Sequence, residues 1–204
     1  MLAIQTNGTP GVQLTQLEIP KPQKDEVLIR VKAAAYCKSD LDVVQWTPLV
    51  AAAHYKTPFT LGHEFSGEIV EIGSDVRGFA PGDRVTAETH IPCGYCQACR
   101  TGNQHICGNH MGVLGRTVNG CFAEYIRMSA GSVMKLADPL SFEQGALMEP
   151  FATAMHAMQK AAPYGQPLVI LGMGTIGQMA LEIAKHMGAS QIFAVDINDK
   201  RLEE

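Results

Sequence analysis

The sequence predicts an α/β protein in two parts. Residues 1–150 form a β-rich part, and residues 151–204 a connector helix followed by the first β-α-β unit of a parallel sheet. Two observations carry this prediction. Short segments with two-residue alternation, separated by turns, fill the first 135 or so residues, whereas the end of the chain runs apolar segment, glycine turn, helical stripe, apolar segment.

In chain order, "EVLIRVKAAA" sets Ile29, Val31 and Ala33 against Arg30 and Lys32, the pattern of a half-buried strand. "GEIVEIG" and "DRVTAE" read as further strands, with the Pro-Gly of "FAPGDRV" marking a tight turn between them. The stretch from Cys93 to Cys107 has neither period and reads as a loop lobe. "SFEQGALMEPFATAMHAMQK" opens with Ser141 and Gln144 in capping-box spacing and continues at helical intervals, with Pro150 expected to kink or interrupt it. "QPLVIL" is then a buried strand and "GMGTIG" a glycine turn. Ile176, Met179, Ala180, Ile183, Ala184 and Met187 form one helical stripe ended by Gly188, and "QIFAVD" is a second buried strand. "NDKRLEE" reads as the first turn of another helix.

The composition narrows the function. Of 204 residues, 46% are hydrophobic and 18% charged, enough apolar material for a real core. A formal charge of −4 with both signs mixed argues against a nucleic-acid partner. No apolar run approaches a bilayer span and no leader pattern opens the chain, so a cytoplasmic protein with no membrane partner is expected. In that reducing compartment the six cysteines point to metal before disulfides.

The glycine turn has the form G-x-G-x-x-G. Gly172, Gly174 and Gly177 follow a strand and open a helix, and Asp196 ends the next strand 19 residues beyond Gly177. Without side chains the backbone can approach a pyrophosphate, the helix N-terminus supplies amide donors, and the strand-end carboxylate accepts from both ribose hydroxyls. Asp196 would repel a 2′-phosphate, which favours NAD over NADP. Arg201 or Lys200 stands where a cation could face the adenine or simply be solvated. The alternative is a plain β-α-β turn.

Cys93, Cys96, Cys99 and Cys107 are spaced C-x2-C-x2-C-x7-C. Four thiolates so close can surround one Zn2+ tetrahedrally and leave no open position, which predicts a structural site. A redox C-x-x-C pair is the alternative, and His105 could replace one cysteine. Cys121 stands apart and reads as a small, partly buried residue.

A catalytic zinc needs about three protein ligands and one open position. Cys37, His63, Glu64 and Glu149 are the remaining donors of suitable chemistry. Each alone has an ordinary reading as well: packing for the cysteine and histidine, an exposed helical carboxylate for Glu149.

Taken together, C-x-S-D at Cys37–Asp40, G-H-E at Gly62–Glu64 with the "GDRV" turn, the four-cysteine lobe and the glycine loop, in that order, resemble the zinc-dependent medium-chain dehydrogenases, or zinc alcohol dehydrogenase family. The resemblance covers the whole chain. It implies a GroES-like catalytic domain over residues 1–150, then a connector helix and the start of a Rossmann NAD-binding domain over residues 151–204. That domain would be incomplete, because a full one has six parallel strands and this sequence offers two. The exposed edges of an unfinished sheet invite association, and a homo-oligomer, dimer or tetramer, is expected.

The resemblance further implies that Cys37 and His63 bind a catalytic zinc, with either Glu64 or Glu149 completing the set. Asp40 would fix the tautomer of His63, and Ser39 would take the substrate proton. Lys38 would face the pyrophosphate, while Asp42 stands where relatives often carry a relay histidine. His90 and Trp46 match residues near the active site of threonine-oxidising members. The implied reaction is hydride transfer from a secondary alcohol, L-threonine-like or a polyol, to NAD, with one catalytic and one structural Zn2+. The other readings are a zinc-bound GroES-like module without turnover and a thiol redox protein.

Overall fold

A computed structural model describes residues 1–109 and 112–203. Glu204, the last residue of the expected second domain, lies outside the described residues. The chain divides into two compact units, residues 1–147 and the residues from Met148 onward.

In the first unit the strands are β1 (Leu2–Thr6), β2 (Gln13–Gln16), β3 (Glu26–Ala35), β4 (Phe59–Thr60), β5 (Glu64–Ile72), β6 (Arg84–Ala87), β7 (His90–Ile91), β8 (Gly112–Val113), β9 (Tyr125–Ser129) and β10 (Val133–Lys135). Its helices are α1 (Lys38–Val44), α2 (Pro48–Ala52), α3 (Gln97–Arg100) and α4 (Phe142–Ala146). A five-stranded antiparallel sheet runs β10-β6-β5-β3-β9, beside a sheet β2-β1-β4 and the pair β7-β8.

The core of the large sheet is built by Val27, Ile29, Phe65, Ile69, Val85 and Met128, all essentially inaccessible. β3 departs from simple alternation. Val27, Leu28 and Ile29 are buried in succession, because a register shift against β5 between Leu28 and Ile29 turns the strand. Beyond it Arg30 and Lys32 are exposed and Val31 and Ala33 half-buried, as the sequence pattern predicts.

The pairing of β3 with β5 positions the site. Ala35, the last residue of β3, lies opposite Glu64, the first of β5. Cys37, two residues past Ala35, is thereby carried toward His63, one residue before Glu64.

Ser141 caps α4 as expected: its Oγ accepts from the Gln144 amide (3.2 Å) and the Gln144 side chain accepts from the Ser141 amide (2.9 Å). The helix stops at Ala146 and a new one, α5 (Met148–Ala161), opens the second unit. Pro150 falls in its first turn, where a missing N–H costs little. Its ring would clash with the carbonyl four residues back, that of Ala146, so the interruption lies ahead of the proline.

The second unit continues with β11 (Pro167–Leu171), α6 (Thr175–His186) and β12 (Gln191–Val195), the strands parallel and in register from Pro167↔Gln191 to Leu171↔Val195. Ala180, Ile183 and Ala184 of α6 are buried with Ala154 and Met158 of α5 and Ile170 of β11. Ile176, counted in the stripe, is 40% exposed. At its C-terminus the Gly188 and Ala189 amides bond back to the Lys185 and Ala184 carbonyls. The expected helical turn after Asp196 is a short 3-10 turn, Asp199–Arg201, begun by the Asn198 side chain accepting from the Lys200 amide. No helix among the described residues is long and apolar enough to cross a membrane.

Candidate functional site

Cys37 stands at the N-cap of α1 with extended backbone. Asp40, in the first turn, reaches back so that its Oδ2 accepts from the Cys37 amide at 3.0 Å. The same carboxylate turns Oδ1 to His63 Nδ1, 3.3 Å away. A single buried carboxylate thus holds the backbone of Cys37 and the ring of His63 at once. Burial pushes the Asp40 carboxyl up. The hydrogen bonds from His63 and the Cys37 amide and the charges of His63 and Arg116 outweigh it, leaving the group below its ordinary value.

The donor atoms of Cys37, His63 and Glu64 all lie within 4.8 Å of one another. One thiolate, one imidazole and one carboxylate around a common centre form a set suited to zinc, and three donors leave a fourth position for a small oxygen ligand. Glu149 belongs to the second unit, in the first turn of α5.

Sequence reasoning missed one residue here. Arg116 donates from Nη1 to Asp40 Oδ1 at 3.2 Å and from Nη2 to Ser39 Oγ at 2.8 Å, with its side chain only 12% exposed. A lone arginine in "LGRTVNG" carries no motif, so no signal in the sequence singles it out.

The lobe brings Cys93, Cys96, Cys99 and Cys107 together. The sulfur separations are 3.5 Å for Cys93–Cys107 and Cys96–Cys99, 3.8 Å for Cys96–Cys107 and 3.9 Å for Cys93–Cys99. Thiolates about 2.3 Å from a tetrahedral centre stand roughly 3.8 Å apart, so the cage has the size zinc requires, and every cysteine is free. Burial pushes the Cys99 thiol up to about 12, and the three neighbouring sulfurs add to it. Cys93 is also opposed by burial, but the backbone amides of Cys96 and Tyr95 bring it down to about 7. Four crowded sulfurs cannot all ionise without a cation among them. The set is complete in sulfur, and His105 sits exposed on a 3-10 turn beside it. The lobe also contains the one-turn helix α3, too short to register as a period. Cys121 is fully buried, its thiol against the Glu64 carbonyl at 3.6 Å.

In the second unit the glycine loop joins β11 to α6. Gly172 adopts φ +96, and a Cβ on Gly177 would lie 1.9 Å from the Gly172 carbonyl oxygen. Helix and loop therefore meet backbone to backbone. Gly174 is the N-cap of α6. Asp196 Oδ2 accepts from the Met173 amide at 2.6 Å and lies 3.4 Å from Arg201 Nη1, while Oδ1 accepts from Asn198. The Met173 and Asn198 amides hold its carboxyl below the ordinary value.

Other expected site residues have local partners. Lys38 is largely exposed and paired with Asp42 at 3.4 Å. His90, on β7, has Nδ1 3.0 Å from Glu88 Oε1. Trp46 packs, partly buried, against the cluster of Val43, Val50, Phe59 and Leu61.

Residues 23–138 match the family model of the alcohol dehydrogenase GroES-like domain, more than half of the chain. The chain belongs to the zinc-dependent medium-chain dehydrogenases. Among members of this dehydrogenase family it is 40% identical to L-threonine 3-dehydrogenase of Legionella pneumophila subsp. pneumophila over 200 residues, 98% of this chain and 58% of that enzyme. Galactitol-1-phosphate dehydrogenase from Escherichia coli shares 32% identity and superposes with a TM-score of 0.91, covering 100% of this chain and 57% of that one. For 2R,3R-butanediol dehydrogenase from Bacillus subtilis the values are 32%, 0.85, 99% and 59%. The chain thus spans somewhat more than half the length of these relatives.

Proposed function

We propose that the protein takes part in NAD-linked oxidation of a secondary alcohol, L-threonine-like or a polyol, at a zinc held by Cys37, His63 and Glu64. The convergence of those three donors, apart from a closed four-thiol set, is the observation that carries this reading. Glu64 is favoured as third ligand by its place in the group; Glu149 is the competing donor, and comparing zinc uptake of Glu64→Gln and Glu149→Gln separates them. Cys93, Cys96, Cys99 and Cys107 would hold the structural zinc.

Cys37, His63 and Glu64 would hold a zinc that would supply Lewis acidity toward a substrate hydroxyl, and the glycine loop would hold the NAD that would take up hydride. The chain's own residues do the rest. Asp40 fixes the His63 ring through Nδ1 and so directs Nε2 at the site. Ser39 Oγ, beside Asp40 on α1 and half-buried, receives the proton that the alcohol loses as its own hydroxyl hydrogen passes to solvent. Gly172, Gly174 and Gly177 shape the loop for a pyrophosphate, and Asp196 accepts from the adenosine ribose, which favours NAD. Lys38 and Arg201 lend positive charge near the phosphates and adenine, and His90 contacts the substrate. The relatives named above act on threonine and butanediol by their names, which supports the secondary-alcohol class.

The test is turnover by zinc-loaded protein given NAD or NADP with threonine, sorbitol, xylitol or butanediol, followed by absorbance of the reduced nicotinamide. Reduction of NAD by at least one substrate is expected. Folded, zinc-loaded protein inert toward all of them would favour the second reading, a GroES-like zinc module without turnover. The chain's partial span of its relatives keeps that reading in play.

A further inference from the structure

Ser39 and Asp40 occupy the first turn of α1, and both are held by one side chain 76 or more residues away. The two terminal nitrogens of Arg116 lie in one plane, with Nη1 on Asp40 Oδ1 (3.2 Å) and Nη2 on Ser39 Oγ (2.8 Å). A guanidinium is rigid, so the two contacts cannot vary independently. Arg116 is itself anchored: Nη1 also donates to the Gly115 carbonyl at 2.7 Å. Gly115, at φ +67, packs so closely on Gly62 that a Cβ there would stand 2.6 Å from the Gly62 oxygen. Gly62 directly precedes His63. The arginine and the histidine are thus mounted on backbones in direct contact.

The chemistry of the two acceptors gives this fork a consequence. Asp40 Oδ1 faces His63 and Arg116 together, so the guanidinium limits how the carboxylate can turn beneath the ring. Ser39 has one O–H and two lone pairs. A donor on one lone pair leaves one lone pair to receive a proton and one hydrogen to pass on, the minimum a relay needs, and it stops the hydroxyl from rotating freely.

We propose that Arg116 is a positioning residue that locks the proton-accepting Ser39 to the Asp40–His63 pair, so that the metal ligands and the proton path form one rigid unit. This rests on the metal-site reading above.

Arg116→Lys keeps the charge and removes the planar fork, so its effect reports geometry rather than net charge. Wild type, Arg116→Lys, Asp40→Asn and the double variant are loaded with Co2+ and Zn2+. The d–d spectrum of cobalt at the Cys37 set is recorded, and zinc affinity is measured against a chromophoric chelator. Zinc retained in the four-cysteine lobe and the melting temperature report folding. Arg116→Lys is expected to shift the cobalt bands and weaken zinc at the Cys37 set by about tenfold, the lower end of what losing a partner of a ligand costs. Adding it to Asp40→Asn is expected to change little further. A folded Arg116→Lys protein with wild-type bands and affinity overturns the inference, as does a fully additive double variant. If wild type binds only the lobe metal, the metal-site reading falls and the inference with it, an outcome distinct from the other two.

Discussion

Asp40 Oδ1 lies 3.3 Å from His63 Nδ1, and both side chains are buried. The carboxylate favours the tautomer with the proton on Nδ1, which would leave the Nε2 lone pair available to the proposed metal. Asp40→Asn keeps an oxygen there but removes the charge that favours this tautomer. Zinc affinity at the Cys37 set should fall between about 10- and 100-fold while lobe zinc is unchanged, as chelator competition would show.

Gly177→Ala should damage the second unit. Its Cβ would meet the Gly172 carbonyl oxygen at 1.9 Å, and a backbone atom cannot step aside as a flexible side chain can. A cost of about 1–3 kcal/mol is expected from such overpacking, together with loss of NAD binding as the loop is pushed off α6. Thermal melting and NAD titration by fluorescence check both. Unchanged NAD binding would contradict the proposed role of the loop.

The cysteine lobe exposes Tyr95 and Ile106 and buries little beyond its own sulfurs. Metal, rather than an apolar core, should therefore hold it. Cys99→Ser, or chelation, is expected to remove one equivalent of zinc and open residues 93–107 to protease, with the five-stranded sheet still protected from amide exchange. Global unfolding instead would show that the lobe supports the whole first unit.

Acid should loosen the glycine loop. The Asp196 carboxyl is held below its ordinary value by the Met173 and Asn198 amides, so its contribution is complete above the unfolded carboxylate value, about 4, and is lost as pH falls through the lower folded value. The protection factor of the Met173 amide, its exchange rate relative to that of an unstructured amide at the same pH, should fall on acidification through that window. Asp196→Asn should show a low protection factor already at neutral pH and little change in it below.

What could be read from the sequence depended on how local the underlying physics was. The capping box at Ser141, the stripe of α6 and the glycine loop each involve residues within a few turns of one another, and each took the expected form except that Ile176 of the stripe is exposed. The four-cysteine cage is nearly as local, because its longest link spans only Cys93 to Cys107. The interruption expected at Pro150 lies just ahead of it, between α4 and α5, because a proline restricts the turn preceding it as well as its own position. The helices α1, α2 and α3 have no counterpart in the sequence pattern because one or two turns do not establish a period.

From the sequence alone came the kinds of chemistry to look for: candidate metal donors, a glycine loop opening a helix, and the family pattern. Only tertiary structure decided which donors meet. Register between β3 and β5 brought Cys37 to His63 and Glu64, and the contact of the Gly115 backbone with Gly62 placed Arg116 on Ser39 and Asp40. Side chains so far apart along the chain are brought together by strand pairing and backbone packing, and neither leaves a periodic trace near the residues it unites.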